Sequence, residues 1–226
     1  MRRAAARAGQ ALLIAMIPLI ALAALWPAAL RLPQVWMAVA VGVAANILQP
    51  SYSPFEGQRT REDGYTGVQI VWTVYSVQAA AVVELLLRRP DLKLDWVSWA
   101  ALGAMLFGLG LRTWAVATLG RWFTWNVQVQ EDQHVIDSGP YRLVRHPSYA
   151  GALVTYVGFC VLFHSWIAAG LAIIALTLAF RRRIAGEEAL LRERLPEYQV
   201  YMERTGALFP SLRGWLTRSG RSVTPS

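Results

Sequence analysis

The chain has 226 residues, of which 55% are hydrophobic and 16% charged, and its mean hydropathy is +0.35. Soluble domains carry about 25% charged residues, so this composition argues against a soluble enzyme and favours one integral membrane domain. The net charge is +8, and nine of the 22 Lys and Arg residues follow Phe180. A basic segment beside a membrane helix is typical of a cytoplasmic flank, and no motif for nucleic-acid binding accompanies it.

Four apolar segments of helical length occupy the first half of the chain, at residues 10–30, 33–49, 67–87 and 96–119. A helix needs about 20 residues to cross a bilayer, so these segments predict four membrane helices. The first follows three arginines and resembles a signal peptide, but its length favours a membrane helix.

Arg112 lies inside the fourth of these segments. A charged residue near the middle of a bilayer costs roughly 2.5–3.5 kcal/mol on insertion. We expect Arg112 to pair with an acid, and extension of its side chain to the interface is the alternative.

A fifth apolar region, residues 148–180, is 33 residues long. That exceeds the length of one crossing helix, and His164 and Ser165 lie at its centre. We predict a hairpin of two short, tilted helices that turns there; one long tilted helix is the alternative. Beyond Phe180, apolar side chains recur at helical spacing and predict an amphipathic helix, which Pro196 should break or kink.

The expected fold class is therefore all-α, a polytopic membrane helix bundle of five or six spans with a helical hairpin and a C-terminal cytoplasmic helix. We expect four membrane helices over 1–119, the hairpin and amphipathic helix over 120–210, and a flexible tail over 211–226. Basic residues near the helix ends place the loop 120–147 and the C-terminal segment in the cytoplasm. The sequence does not indicate an oligomeric state.

Metal and thiol chemistry are not indicated by the sequence. The three histidines, at 134, 146 and 164, lack the spacing of metal ligands, so no metal site is expected. The single cysteine, Cys160, lies in an apolar run and is interpreted as a small buried side chain. A strand–GxGxxG–helix unit is also missing, so the sequence offers no Rossmann cofactor site.

The most informative stretch is residues 139–151, Gly-Pro-Tyr-Arg-Leu-Val-Arg-His-Pro-Ser-Tyr-Ala-Gly, which borders the fifth apolar region. Pro147 favours a helix start, and the free N–H groups of such a start favour an anion. Further along, Arg183 and Glu187 are one helical turn apart on one face. These groups together could hold a zwitterion such as an amino acid; a surface ion pair beside a basic anchoring loop is the alternative.

This pattern resembles the signature of the isoprenylcysteine carboxyl methyltransferase family. The resemblance rests on Ser138-Gly139-Pro140-Tyr141, Arg145-His146-Pro147-Ser148-Tyr149, Arg183 with Glu187-Glu188, and Glu197-Tyr198 with Tyr201. It covers about residues 120–210, which would then be the methyltransferase-like catalytic region. It implies an integral membrane enzyme that uses S-adenosylmethionine, with its active site facing the cytoplasm of a cell (inner) membrane.

The resemblance also implies roles for individual residues. The cofactor would be bound by Gln133, His134, Val135, Ile136, Gly139, Tyr141, His146, Pro147, Ser148, Tyr149 and Glu187. The catalytic residues would be Arg183, Glu187, His146 and Arg145, with Arg183 facing an acceptor carboxylate and Glu187 binding the amino group of the cofactor. Many relatives carry His at the position of Gln133, so either Gln133 or the neighbouring His134 takes that role.

Several acceptors agree with this signature. The expected acceptor is a lipophilic small molecule or a prenylated protein bearing a carboxylate, alongside membrane lipid, as in isoprenylcysteine methyl esterification. Phospholipid N-methylation or thiol S-methylation is an alternative, for which His146 or Glu188 would remove a proton. A sterol-reductase-like oxidoreductase using NADPH and a non-enzymatic headgroup clamp are further alternatives. Trp122, Phe123 and Trp125 are interpreted as an interfacial aromatic belt, in preference to the lining of an acceptor gap.

Overall fold

The computed structural model describes residues 16, 19–49, 65–125, 129 and 132–211. All regular elements in these ranges are helices, which confirms the all-α prediction. The α-helices are α1 (Pro33–Leu48), α2 (Thr66–Arg88), α3 (Trp96–Leu119), α4 (Pro147–Leu162), α5 (Trp166–Arg194) and α6 (Tyr198–Arg204). Residues 19–25 are helical too, and short 3₁₀ turns cover Pro27–Arg31, Gly120–Trp122 and Gly139–Arg142.

The apolar region 148–180 forms a hairpin, as predicted, and the alternative of one long helix is wrong. Helix α4 ends at Leu162 and α5 begins at Trp166. His164 takes a left-handed backbone conformation with φ +53°, and the Ser165 hydroxyl donates to the carbonyl of Ala81 at 2.9 Å. The turn is therefore fixed by a bond to α2 as well as by its own backbone.

Helix α5 differs from the prediction at its far end. It does not stop near Phe180 but runs for 29 residues to Arg194, so the predicted amphipathic segment continues the second arm of the hairpin. The helix ends just before Pro196, as expected, and the short α6 follows. As a result Arg183 and Glu187 lie on the same helix as the apolar second arm of the hairpin.

Consecutive helices from α1 to α5 alternate in direction, so the bundle has two ends. We call the end with residues 89–95 and 163–165 the hairpin end, and the end with residues 139–147 the motif end. Helices α3 and α4 approach most closely through glycines: a Cβ built on Gly108 would lie 2.5 Å from the Gly151 carbonyl oxygen. Small residues permit this approach in lipid, where close van der Waals packing holds helices together.

Large apolar side chains cover the outside of the bundle. Among the exposed ones are Trp36, Trp72, Trp99, Leu106, Phe107, Trp114, Ile167, Leu171, Ile174 and Leu178. Thr66–Arg88 and Trp96–Trp122 are long and apolar enough to cross a membrane, and Pro33–Leu48 and Pro147–Leu162 are shorter apolar helices. Soluble proteins rarely expose so much contiguous apolar surface, so this outer face suits lipid.

Some predictions concern residues that the structure leaves undescribed. The number of five or six spans stays a prediction, since most of residues 1–18 lie outside the described ranges. The flexible tail predicted for 211–226 lies outside them too, apart from Ser211. The domain boundaries at 119 and 210 likewise stay predictions.

Candidate active site

Local geometry brings the 139–151 motif to the start of α4. Pro147 occupies the first turn of α4, where its missing N–H leaves no helical bond unmade. Upstream, Gly139 has φ +56°, and a Cβ there would lie 3.0 Å from the Thr118 hydroxyl of α3. The carbonyl of Tyr141 accepts a hydrogen bond from the Tyr201 hydroxyl at 2.7 Å. The motif is thus held between α3 and α6.

A segment that follows α6 also positions the motif, and sequence reasoning missed it. Val144 and Gly206 form a parallel bridge, in which the N–H of Arg145 donates to the Gly206 carbonyl at 2.8 Å. The N–H of His146 donates to the Ala207 carbonyl at 3.0 Å. A Cβ on Gly206 would lie 1.9 Å from the carbonyl oxygen of Phe209, so only glycine fits this turn.

The polar side chains of the motif meet two carboxylates of α5. Arg145 Nε lies 2.7 Å from Glu188 Oε1, and Arg145 also donates to the carbonyls of Met202 and Thr205. His146 Nε2 lies 3.1 Å from Glu188 Oε1, while its Nδ1 lies 3.5 Å from Glu187 Oε2. Both ring nitrogens therefore face carboxylate oxygens, which favours the doubly protonated imidazolium.

The electrostatics of this cluster agree with that geometry. Burial alone would raise the pKa of Glu187 and of Glu188, but hydrogen bonds from His146 and the charges of Arg183 and Arg145 outweigh it and lower both pKa values. Burial alone would lower the pKa of His146, yet its bonds to the two carboxylates raise it above the ordinary value of 6.5. The contacts within the cluster therefore favour the charged form of each of the three groups.

Arg183 is committed to protein partners. Its Nε donates to Glu187 Oε1 at 2.9 Å, its Nη1 to the Thr66 hydroxyl at 3.0 Å, and its Nη2 to the Trp125 carbonyl at 2.6 Å. Its side chain is 3% exposed, whereas that of Glu187 is 21% exposed. Tyr149 donates its hydroxyl to the same Glu187 oxygen. Arg183 thus orients Glu187, and Glu187 is the more accessible of the two.

These residues border a cavity of about 450 Å³ that runs from the motif end toward the hairpin end. It collects most of the residues predicted to bind the cofactor: Gln133, His134, Val135, Ile136, Tyr141, His146, Ser148, Tyr149 and Glu187, with Arg145 and Arg183. Gly139, Pro147 and Glu188 are not on its wall; the first packs on α3, the second is buried, and the third supports the other charges.

The remaining walls bear on two further predictions. Trp122, Phe123 and Trp125, predicted from the sequence to form an interfacial aromatic belt, line the cavity. Arg112 lines it too. The guanidinium of Arg112 has no carboxylate partner within the part of the chain that the structure describes; it donates to Gln49 Oε1 at 2.7 Å and to Ser148 Oγ at 2.9 Å. The prediction that Arg112 pairs with an acid therefore fails for these residues, because two neutral side chains take its place.

Comparison with known proteins shows similarity to one protein family. Residues 100–193 match the sequence model of the Isoprenylcysteine carboxyl methyltransferase (ICMT) family. This match confirms the resemblance up to residue 193 and extends it into α3; it does not include Glu197, Tyr198 and Tyr201. The matched family is one of methyltransferases, so we consider the charged cluster as a site for methyl transfer.

Individual relatives cover part of the chain. A probable protein-S-isoprenylcysteine O-methyltransferase of Oryza sativa subsp. indica is 37% identical over 125 residues, which are 54% of this chain and 65% of that protein. The nickel-cobalt-cadmium resistance protein NccN of Alcaligenes xylosoxydans xylosoxydans is 29% identical over 143 residues, 63% of this chain and 64% of that protein. The uncharacterized protein YpbQ of Bacillus subtilis (strain 168) is 20% identical over 167 residues, 70% of this chain and 96% of that protein. The chain thus spans just under two thirds of the first two relatives.

Proposed function

We propose that this chain, which belongs through residues 100–193 to the isoprenylcysteine carboxyl methyltransferase family, is a membrane methyltransferase that uses S-adenosylmethionine. Its acceptor is a lipophilic molecule or prenylated protein with a free carboxylate. The site faces the cytoplasm of a cell membrane. One observation carries this proposal: a single cavity joins a charged cluster at the motif end to an apolar interior.

The apolar part of the cavity supports a lipophilic acceptor. Its wall toward the hairpin end includes Leu22, Val35, Val39, Val82 and Phe163. The volume of about 450 Å³ lies within the range of small-molecule sites, which are mostly apolar with a few placed polar groups. Burial of a chain of methylene or isoprene units in this part of the cavity contributes roughly 0.8 kcal/mol of binding free energy for each CH₂.

The polar part of the cavity fits the proposed cofactor. Glu187 offers a partly accessible carboxylate to an ammonium, and Tyr149 and Trp125 line the cavity beside it. Residues 134–136 lie outside any helix, so helical hydrogen bonds do not engage their backbone groups, which can pair with the adenine of the cofactor. When bound, S-adenosylmethionine supplies a methyl group carried on a positively charged sulfur.

The residues of the chain then act by position and electrostatics. Bound S-adenosylmethionine would supply its methyl group to an acceptor carboxylate placed in line, so the products would be a methyl ester and a neutral thioether and no proton would be transferred. Glu187 would hold the ammonium group of the cofactor. Holding two reactants in this geometry can contribute about 7–11 kcal/mol. Charge is lost in the step, so a cavity with mostly apolar walls favours it over water.

The state of His146 favours a carboxylate acceptor over an amine or thiol. Both ring nitrogens face carboxylate oxygens of Glu187 and Glu188, so neither of them is directed at an acceptor. A carboxylate is already a nucleophile at neutral pH and needs no general base. His146 thus acts as a charged link between the motif and α5.

Calorimetric titration of the purified protein with S-adenosylhomocysteine tests the cofactor. We expect binding by the wild type and a loss of at least tenfold in affinity in both Glu187→Ala and His146→Ala. Glu84→Ala is the matched control, because Glu84 is a carboxylate of the hairpin end that is not on the cavity wall. Unchanged affinity in both motif-end variants would refute the site.

Transfer of labelled methyl tests the acceptor separately. We expect a base-labile ester on an S-prenylated cysteine derivative with a free carboxylate, and no product from the corresponding carboxamide. Labelling of phosphatidylethanolamine or of a small thiol instead would replace the proposed acceptor by an amine or sulfur nucleophile.

A further inference from the structure

Three arginines border the polar end of the cavity, and their partners differ. Arg145 is paired with Glu188, and Arg183 with Glu187. Arg112 lies against neutral groups: Gln49, Ser148 and the ring of Trp125, whose centroid is 5.5 Å from its guanidinium carbon. Among the residues that the structure describes, it is the arginine of the cavity wall without a carboxylate.

This arrangement leaves a positive charge at the cavity wall that no carboxylate of the described residues neutralises. Hydrogen bonds to an amide and a hydroxyl and a cation–π contact fix the orientation of Arg112, but they do not neutralise it. A charge inside a membrane helix is costly and marks a functional site by default, with its partner to be named. A planar guanidinium with two neutral anchors keeps further N–H groups for a carboxylate.

We propose that Arg112 is the carboxylate receptor of this site. Its guanidinium binds a carboxylate of a ligand in the cavity, which is either the amino-acid carboxylate of the cofactor or the carboxylate of the acceptor. The assignment rests on the proposed function. If the bound carboxylate is that of the acceptor, the role implied for Arg183 belongs to a residue of a different helix. Arg183 is a positioning residue that holds Glu187.

The placement of Arg112 relative to Glu187 supports this division. Arg112 contacts Ser148 and Glu187 contacts Tyr149, so a cationic group and an anionic group flank the first turn of α4. A ligand that carries an ammonium and a carboxylate meets complementary charge on both sides. An acceptor carboxylate at Arg112 would instead be held opposite the carboxylate of Glu187, which keeps the two anions apart.

Ligand analogues decide between these sources. The probes are S-adenosylhomocysteine, its analogue without the carboxylate, and an S-prenylated cysteine derivative; the variants are Arg112→Gln and Arg112→Lys. Arg182→Gln is the matched control, since Arg182 is exposed on α5 and bonds Gln69 outside the cavity wall. Thermal unfolding of each variant verifies that it is folded.

If Arg112 holds the cofactor carboxylate, Arg112→Gln lowers the affinity for S-adenosylhomocysteine at least tenfold, while the decarboxylated analogue binds the variant and the wild type with equal affinity. If it holds the acceptor, the affinity for S-adenosylhomocysteine is unchanged and the KM for the prenylated acceptor rises at least tenfold. Arg112→Lys keeps the positive charge but loses the two parallel N–H donors of the guanidinium, so its affinity or KM should lie between those of the wild type and Arg112→Gln. This variant preserves the test if Arg112→Gln does not fold.

Two negative results are distinguishable. A wild type that binds S-adenosylhomocysteine and methylates the acceptor, with both Arg112 variants equal to it, overturns the Arg112 assignment alone. A folded wild type that binds neither probe overturns the proposed function, and the assignment with it.

Discussion

The two ends of the helical bundle both bury polar side chains, but they use them differently. At the hairpin end, Ser98 donates to Asp95 at 2.9 Å, Gln34 donates to Ser98 at 3.3 Å, and Glu84 accepts from the N–H of Ala168 at 2.8 Å. These bonds close the starts of α3 and α5. At the motif end the charges are bonded to one another and still face a cavity.

The difference separates structural from functional polarity. Helix starts leave N–H groups without partners, and the acids of the hairpin end satisfy them. The motif end holds three arginines, a histidine and two glutamates, more charge than any helix end requires. Excess charge next to a cavity indicates ligand binding, whereas charge that is consumed by helix ends indicates stability.

The largest expected effect contrasts the ion pairs of the two ends. Arg145→Met leaves Glu188 without its main partner in a pair whose side chains are 10% and 11% exposed, and should cost about 3–5 kcal/mol. Arg88→Met breaks a pair in which Arg88 is 56% exposed and should cost about 0–1 kcal/mol. Thermal unfolding in lipid nanodiscs measures both, and equal losses would contradict the distinction between the two ends.

The second prediction contrasts the two ends of the α3–α4 interface. In Gly151→Ala the new Cβ would lie 2.5 Å from the Gly108 carbonyl oxygen, so the backbones must separate at about 1–3 kcal/mol. In Gly158→Ala the nearest atom is the flexible Met105 Cγ at 2.8 Å, so a smaller loss is expected. Gly103→Ala meets nothing within 4 Å, so it measures the gain in helix propensity alone, about 0.5–1 kcal/mol, and is the control in unfolding measurements.

A smaller effect is expected from the acid that caps α5. Glu84→Gln keeps the shape but removes the charge beside the start of α5, and should lower stability by about 1 kcal/mol. Affinity for S-adenosylhomocysteine should stay within twofold of the wild type, since Glu84 is absent from the cavity wall. A large loss of affinity in calorimetry would show that the hairpin end takes part in binding.

The smallest effect is a pH dependence of the motif end. The pKa of His146 is raised, so its contribution to stability is complete below pH 6.5 and is lost as pH rises through the raised pKa. The pKa values of Glu187 and Glu188 are lowered, so their contribution is present above pH 4.5 and is lost as pH falls through the lowered values. Melting temperature should therefore decline on both sides of this window.

His146→Asn isolates the alkaline part of that dependence. The variant should retain the acid decline and lose the decline above pH 6.5, at a lower melting temperature throughout. A His134→Asn variant is the control, because His134 lines the cavity in an edge contact with Trp122 at 6.0 Å and faces no carboxylate in the described ranges. An unchanged alkaline decline in His146→Asn would assign it to another group.

Sequence patterns predicted the parts of this fold that depend on local chemistry. Pro147 and Pro196 mark helix boundaries because their rings restrict the backbone, and His164-Ser165 interrupts an apolar run. The end of α5 was predicted at Phe180, where charged residues begin. Charge marks where a helix leaves the apolar layer but does not end it, so the helix runs on to Arg194.

The site was predictable where side chains carry the signal. The spacing of Arg183 and Glu187 and the polar run at 145–149 indicated the charged cluster, and they do meet. The bridge from Val144 to Gly206 uses backbone groups, which leave no side-chain pattern except the glycine itself. The neutral partners of Arg112 could not be anticipated, because Gln49 and Ser148 lie 63 and 36 residues away from it in the chain.

The Val144–Gly206 bridge also bears on biogenesis. The N–H groups of Arg145 and His146 depend on carbonyls about sixty residues downstream, which leave the ribosome only after both arms of the hairpin have been synthesised. Until then the two N–H groups lack these carbonyl partners, and the motif is not fixed against the segment that follows α6. The apolar helices can thus enter the lipid before the Val144–Gly206 bridge forms. The motif is then fixed in a later step, at the surface of the bilayer.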